Sequence, residues 1–340
     1  MGNPLPVIIC DDSRLARKQM ERALAQWNLD ITHATQGLEA LEAVRAGKGE
    51  LLFLDLNMPL LDGYEVLERI RREDLPILTL VVSGDIQPEA RERVRQLGAL
   101  DFIRKPIDME QLRQSLRAFG LLEELERPAA AVTVPVTAAP PAPAPGVISE
   151  TLSLQEHYQE LANVAMGQAA DLLAQLLNTF IELPIPSVKL LEYGELDMAM
   201  QQALSQSDLT TVCQGFVAQG ICGEALLMLT GTQINQLAHL LRHQGELNAL
   251  IERELTMEIA NVLIGAFLNG LGQQLDMTFS QSSPLLMADL PTQTSHRNRQ
   301  ERILSIDISY RIEGLAVNCD LLLLFTEDSL PKLNELTSHL

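Results

Sequence analysis

Five times in the first 126 residues a short apolar run is followed by a stretch whose apolar positions recur every three or four residues. The runs at 7–10, 31–34, 51–54, 78–82 and 101–103 read as strands. The stretches at 15–27, 38–46, 64–72, 88–97 and 109–122 read as amphipathic helices. Strand–helix alternation with short connections predicts an α/β module, a doubly wound five-stranded parallel sheet covered on both faces. Ligands bind such sheets at the carboxyl ends of the strands, so those ends decide the chemistry.

The pattern stops at residues 127–148, RPAAAVTVPVTAAPPAPAPGVI. Proline and alanine here give neither a periodic apolar face nor a set of turns, and the segment reads as an extended linker. In polyproline II form it would span about 70 Å. It divides the chain into modules at 1–126 and 149–340.

The second module has another grammar. A long helix at 154–179 precedes a strand at 187–192, then a strand pair at 212–219 and 223–229 across Gly220-Ile221-Cys222-Gly223. A helix at 233–241 and a long helix at 247–274 follow, then strands at 302–311 and 315–325 and a short helix from Ser329. This is α+β, and a long helix followed by a strand pair occurs twice, which directs attention to an internal repeat. The octet ELANVAMG at 160–167 aligns with EIANVLIG at 258–265, an offset of 98. Five of the eight positions are identical and the other three are apolar in both. The second strands end alike, LLMLT at 226–230 and LLLFT at 322–326, each before a helix.

Charge narrows the function. The chain of 340 residues carries a net −20, of which residues 128–340 hold −15 and residues 1–127 only −5. A chain that grips phosphate backbones needs basic surface, so nucleic-acid binding is excluded as an expectation. No uninterrupted apolar run approaches the roughly 20 residues of a membrane span, and no basic-then-apolar leader opens the chain. A cytoplasmic protein without membrane insertion is expected. Cys10, Cys213, Cys222 and Cys319 lack metal-type spacing and read as buried free thiols.

The strand ends of the first module carry the first chemistry. Asp11 and Asp12 follow the first strand, Asp55 the third, Ser83 closes the fourth, and Lys105 with Pro106 closes the fifth. Three carboxylates at one rim repel unless they share a hard cation, and Mg²⁺ with oxygen ligands fits. A lysine and a hydroxyl on the remaining sides leave room for a tetrahedral anion, an arrangement suited to phosphoryl transfer. With these residues in place, residues 5–125 resemble a two-component receiver domain of flavodoxin-like fold. The resemblance implies Asp55 as the phosphoacceptor and Asp11, Asp12, Asp55 and the Asn57 carbonyl around Mg²⁺. It also implies Ser83 and Lys105 on the phosphoryl oxygens, and Phe102 as the aromatic that turns inward on activation.

The second chemistry lies in the repeated octet. Glu160 and Asn163 share one helix face, as do Glu258 and Asn261. Asparagine is a weak helix former and a polar pair inside an apolar helix loses burial, so the pair calls for a function. The duplicated frame, with Val188-Lys-Leu-Leu-Glu192 and the hairpin beginning at Gly220, resembles the CheC/CheX/FliY chemotaxis phosphatases over residues 150–340. That resemblance implies an α+β domain with an internal pseudo-two-fold repeat, which hydrolyses the aspartyl phosphate of receivers. By resemblance each asparagine orients the attacking water and each glutamate pairs with the lysine of a bound receiver. Glu156 and Glu254 stand where that family often has Asp or Ser.

His157, His239 and His243 read as ordinary surface or core histidines, the glycines and methionines of 257–272 as close helix packing, and Trp27 as core at the end of the first helix. The resulting expectation is a receiver fused to a two-site phosphatase that acts on a separate chemotaxis-type receiver. Its rival is a phosphorylation-switched adaptor with an inert second domain, and a third reading has the chain dephosphorylate its own Asp55. A cognate histidine kinase and a separate phosphorylated receiver are the expected partners, with a homodimer left open. The linker would let the receiver rim dock in cis, Lys105 on Glu160 or Glu258, and such docking is expected to act as a competitive lid.

Overall fold

The computed structural model describes residues 4–122, 154–204, 208–241, 247–289, 301–315 and 317–337. The linker at 127–148 and His243 lie outside these. In the first module β1 (Leu5–Cys10), β2 (Leu29–Ala34), β3 (Leu51–Leu54), β4 (Leu78–Ser83) and β5 (Asp101–Arg104) form one sheet in the order β2-β1-β3-β4-β5. All four pairings are parallel. Between the strands run α1 (Arg14–Leu24), α2 (Gly37–Arg45), α3 (Gly63–Arg72) and α4 (Pro88–Gln96), and α5 (Met109–Ala118) closes the module.

Alternation along β1 sends Val7 and Ile9 to one face and Ile8 and Cys10 to the other. One core gathers Ile8, Leu41, Leu52, Val66 and Phe102, the other Val7, Met20, Trp27, Phe53 and Leu112. Each core is built from this module's residues alone, so the module holds together without the rest of the chain.

The second module places α6 (Leu154–Leu177) and α9 (Ala249–Gln274) against each other and against a largely antiparallel sheet. Its strands are β6 (Ile181–Glu182), β7 (Ser187–Glu192), β8 (Leu209–Ala218), β9 (Ile221–Thr230), β10 (Ser280–Gln281), β11 (Leu285–Leu286), β12 (Arg302–Ile312) and β13 (Asn318–Phe325). They order as β10-β8-β9-β13-β12-β6, with β7 also on β12 and β11 also on β8. The repeat is therefore an exchange. The first half's β6 and β7 lie on β12 of the second half, while the second half's β10 and β11 lie on β8 of the first. β9 and β13 meet in the middle. The long helices even stop alike, with Asn178 and Asp276 both left-handed at φ 52°.

Several details differ from the sequence expectation. The hairpin turns at Gln219-Gly220, because Ala218 pairs with Ile221 and Gly220 takes φ +87°. Ile221, Cys222 and Gly223 are strand, and alternation from a buried Ile221 turns Cys222 outward. Cys222 is thus exposed and Cys213 half-buried, and only Cys10 and Cys319 are buried thiols; all four are free. A helix α7 (Tyr193–Leu204) and the two-residue edge strands were not foreseen; α8 (Gly231–Leu240) and α10 (Leu330–Thr337) were. One helix bears on the expectation about membrane-length segments. α9 is long and apolar enough to cross a bilayer by length and composition, since its few charges sit near one end. Its apolar window is 67% buried within the domain, as a core helix would be.

Candidate functional site

The ends of β1 and β3 bring Asp11, Asp12 and Asp55 together, each offering an oxygen within 4.8 Å of the others. From the end of β5, Lys105 reaches in, its Nζ 2.7 Å from Asp11 Oδ2 and 3.3 Å from Asp55 Oδ1. Asn57 donates its backbone N–H to Asp55 Oδ2 at 3.1 Å. Ser83 is buried at the end of β4, and its Oγ accepts the Asp85 N–H at 3.2 Å. Phe102 is already turned into the core, with the Arg91 guanidinium 5.5 Å from its ring centre.

Burial dominates the electrostatics of this rim. It pushes Asp11 up to about 8 and Asp55 and Asp12 to about 6, with neighbouring carboxylates adding to it and Lys105 opposing. Burial also disfavours the Lys105 ammonium, yet Asp11, Asp55 and Glu160 around it hold its pKa well above the usual value. Asp12 Oδ1 is buried without a hydrogen-bond partner. Surplus negative charge and an unpaired oxygen fit a hard divalent cation bound by oxygens.

Glu160 and Asn163 lie one turn apart on α6, 5% and 7% exposed. What covers them is the rim just described. Lys105 Nζ stands 3.5 Å from Glu160 Oε1. The Gly84 backbone lies directly on Asn163, Val164 and Gly167 of α6. Around this contact Asn57 Nδ2 donates to Pro184 O at 2.8 Å, and Arg93 sits 3.9 Å over the Phe180 ring while pairing with Glu313 at 2.6 Å. Glu160 Oε2 and Asn163 Oδ1 stay buried without hydrogen-bond partners, two acceptors ready for a proton donor such as water.

Glu258 and Asn261 occupy the matching places on α9, and both are exposed. Sequence gives two equal pairs; the fold brings only the first to the acidic rim. Among the described residues the three aspartates form the one potential metal group, so His157 and His239 belong to none. Sequence reasoning passed over Asp85, Gln87 and Arg93, which join the two modules. Gln87-Pro88 reads only as a helix start, and nothing in its composition signals an interface.

Residues 7–117 match the family model described as the response regulator receiver domain. The response regulator MprA of Mycobacterium ulcerans is 36% identical over 135 residues, 38% of this chain and 56% of its own length. MprA of Mycobacterium leprae is 37% identical over 116 residues, 33% of this chain and 49% of its own. The chain spans about half the length of these curated relatives. Among solved structures, FliY of Thermotoga maritima is 19% identical, covering 56% of this chain and 99% of that one at a TM-score of 0.44. The middle domain of FliM from H. pylori is 11% identical, covering 54% of this chain and 97% of its own at 0.41. The N-terminal module of this chain is a response regulator receiver domain.

Proposed function

We propose that this response regulator takes a phosphoryl group on Asp55 and that its second domain hydrolyses the aspartyl phosphate of a receiver. The observation that carries the reading is the burial of the Glu160–Asn163 pair against the receiver rim, with Lys105 Nζ 3.5 Å from Glu160 Oε1. It is the contact that the glutamate of such a phosphatase would make with the lysine of its substrate.

Asp55 carboxylate attacks the phosphorus of a phosphodonor, such as the phosphohistidine of a cognate kinase, and the donor leaves with the bonding electron pair. Lys105 and Ser83 hold the phosphoryl oxygens. Asp11, Asp12, Asp55 and the Asn57 carbonyl would hold Mg²⁺, which neutralises phosphoryl charge when bound. For hydrolysis, the Asn163 or Asn261 carboxamide orients a water in line with the phosphorus–oxygen bond of the aspartyl phosphate on a docked receiver. Water oxygen bonds to phosphorus, the phosphorus–oxygen bond to that receiver's aspartate breaks, and its electron pair restores the carboxylate. The water proton ends on the released phosphate. An acyl phosphate is already activated, so positioning is the main requirement.

In the arrangement described here the chain's own receiver closes the α6 face. The exposed Glu258 and Asn261 on α9 would serve a separate receiver in trans. The test is the aspartyl-phosphate lifetime on a free-standing receiver, with and without isolated residues 150–340. A shortened lifetime that reverts in the Asn163→Ala, Asn261→Ala double variant supports the phosphatase. An unchanged lifetime leaves the second domain as a binding module, the adaptor reading.

A further inference from the structure

One part of the contact between the domains takes no part in phosphoryl chemistry. Gln87, the residue before α4, is 0% exposed. Its carboxamide meets the backbone of Ile181 on β6 in both senses, with Nε2 donating to Ile181 O at 2.8 Å and Oε1 accepting the Ile181 N–H at 2.9 Å. Asp85 Oδ1 accepts from Gln87 Nε2 at 3.1 Å and from the Gln87 N–H at 3.0 Å, so the amide is oriented from behind as well.

β6 is the last strand of its sheet and pairs with β12 on one side. An edge strand presents backbone N–H and C=O groups that need partners once buried. A side-chain carboxamide carries a donor and an acceptor side by side, so a single glutamine satisfies Ile181 as a neighbouring strand would.

The other contacts select less. Arg93 and Glu313 form a surface pair that salt screens. Lys105 would meet Glu160 from any receiver with a lysine at that strand end. Gly84 on Gly167 demands only that no side chain stand between the two backbones, which any receiver with a glycine at that place meets. The amide alone has a two-way directional requirement. Leucine in its place leaves two buried backbone groups unsatisfied, and glutamate sets a carboxylate against a carbonyl oxygen and Asp85.

We propose that Gln87 is the residue by which the second domain recognises its receiver, and that the β6 edge is an interaction surface for receivers with a carboxamide just before α4. The proposal rests on reading the α6 face as a receiver-docking face, and it is independent of whether hydrolysis follows.

The test is the acylation rate of Lys105 by a small amine-reactive reagent, read by mass spectrometry on full-length protein. Residues 1–126, whose cores are self-contained, set the rate for an uncovered rim. Wild-type full-length protein should react at least tenfold more slowly than that fragment. Gln87→Leu and Gln87→Glu should each bring full-length protein to within about threefold of the fragment, and neither should change the rate in the fragment itself. Gly167→Arg, which blocks docking from the other side, should do the same. If Gly167→Arg uncovers Lys105 and both Gln87 variants stay protected, the domains dock without Gln87 and the proposal fails. If wild-type protein reacts like the fragment, docking itself fails and the proposal with it. No phosphate enters the measurement, so an inert second domain would leave these rates as expected and would fail only the lifetime test above.

Discussion

A β-carbon built on Gly167 would stand 1.9 Å from the carbonyl oxygen of Gly84, a distance that no packed structure tolerates. Gly265, its counterpart 98 residues on, meets only Gln281 Oε1, at 3.8 Å. The two copies of one octet thus hold glycine in opposite circumstances, one beneath the receiver backbone and one with room for a methyl group. Gly270 and Gly272 on the same helix have close neighbours inside the domain, so Gly265 stands apart from them.

The first prediction follows from that contrast. Gly167→Ala should force the receiver off α6 and leave both domains folded, splitting thermal unfolding into two transitions. Gly265→Ala has room for its methyl and should stabilise the second domain by about 0.5–1 kcal/mol, since alanine is the better helix former. Scanning calorimetry reads both. A single unshifted transition in Gly167→Ala would mean that the backbone contact is not tight.

Asp55→Asn should abolish labelling by a small acyl-phosphate donor with Mg²⁺, because an amide cannot serve as the nucleophile. Persisting base-labile label on that variant would move the phosphoacceptor elsewhere. Since Asp55 is 3% exposed beneath the docked domain, the wild-type chain should also label more slowly than residues 1–126 alone.

Much of this architecture is legible in the sequence, for identifiable reasons. Buried parallel strands such as Leu51–Leu54 are continuous apolar runs between polar connections, and functional side chains at strand ends follow from where those runs stop. The Glu160 and Glu258 frames are legible because they repeat nearly residue for residue. What is hidden is the difference between them. Glu160 is buried by a domain that docks from across the linker, and no local pattern around Glu160 encodes that arrival. Ile181–Glu182 and Ser280–Gln281 are too short for a period-2 signal and exist as strands only because β12 and β8 offer them edges. Gln87 is legible only with both domains in view.

Burial raises the Asp85 carboxyl from 3.8 to about 6, against the hydrogen bonds it accepts from Gln87. A carboxyl with a raised folded pKa contributes its stability below the unfolded value, and that stability is lost as pH rises through the folded one. For Asp85 the window runs from 3.8 to about 6. Asp85→Asn keeps an oxygen acceptor for Gln87 and removes the charge. It should therefore be more stable than wild type at pH 8, on the order of 2–3 kcal/mol, with no difference below pH ~4. Denaturant titrations at the two pH values decide it, because Asp11, Asp12 and Asp55 titrate alike in both proteins. A difference independent of pH would place Asp85 in contact with water.

The last prediction concerns the unequal asparagines. In unphosphorylated full-length protein Asn163 is covered and Asn261 exposed, so turnover of a separate phosphorylated receiver should depend on Asn261 alone. Asn261→Ala should remove nearly all of that turnover, a loss of about a hundredfold at the site, whereas Asn163→Ala should change it little. The isolated 150–340 domain has both faces open, and there each single variant should keep partial activity while the double variant keeps almost none. The tether holds the receiver near α6 at roughly millimolar effective concentration, so even a weak contact keeps that face mostly closed. A phosphoryl group on Asp55 adds charge and bulk to the buried rim and gives Lys105 and Ser83 another partner. Phosphorylation should therefore shift the population toward the undocked form and bring Asn163 into play for the separate receiver. The decisive comparison is turnover by Asn261→Ala full-length protein before and after Asp55 is phosphorylated, measured against Asn261→Ala residues 150–340. A rise toward the isolated-domain rate supports the lid. Equal rates in all three samples would mean that the receiver never obstructs α6 in solution and that the tether only keeps the two domains together.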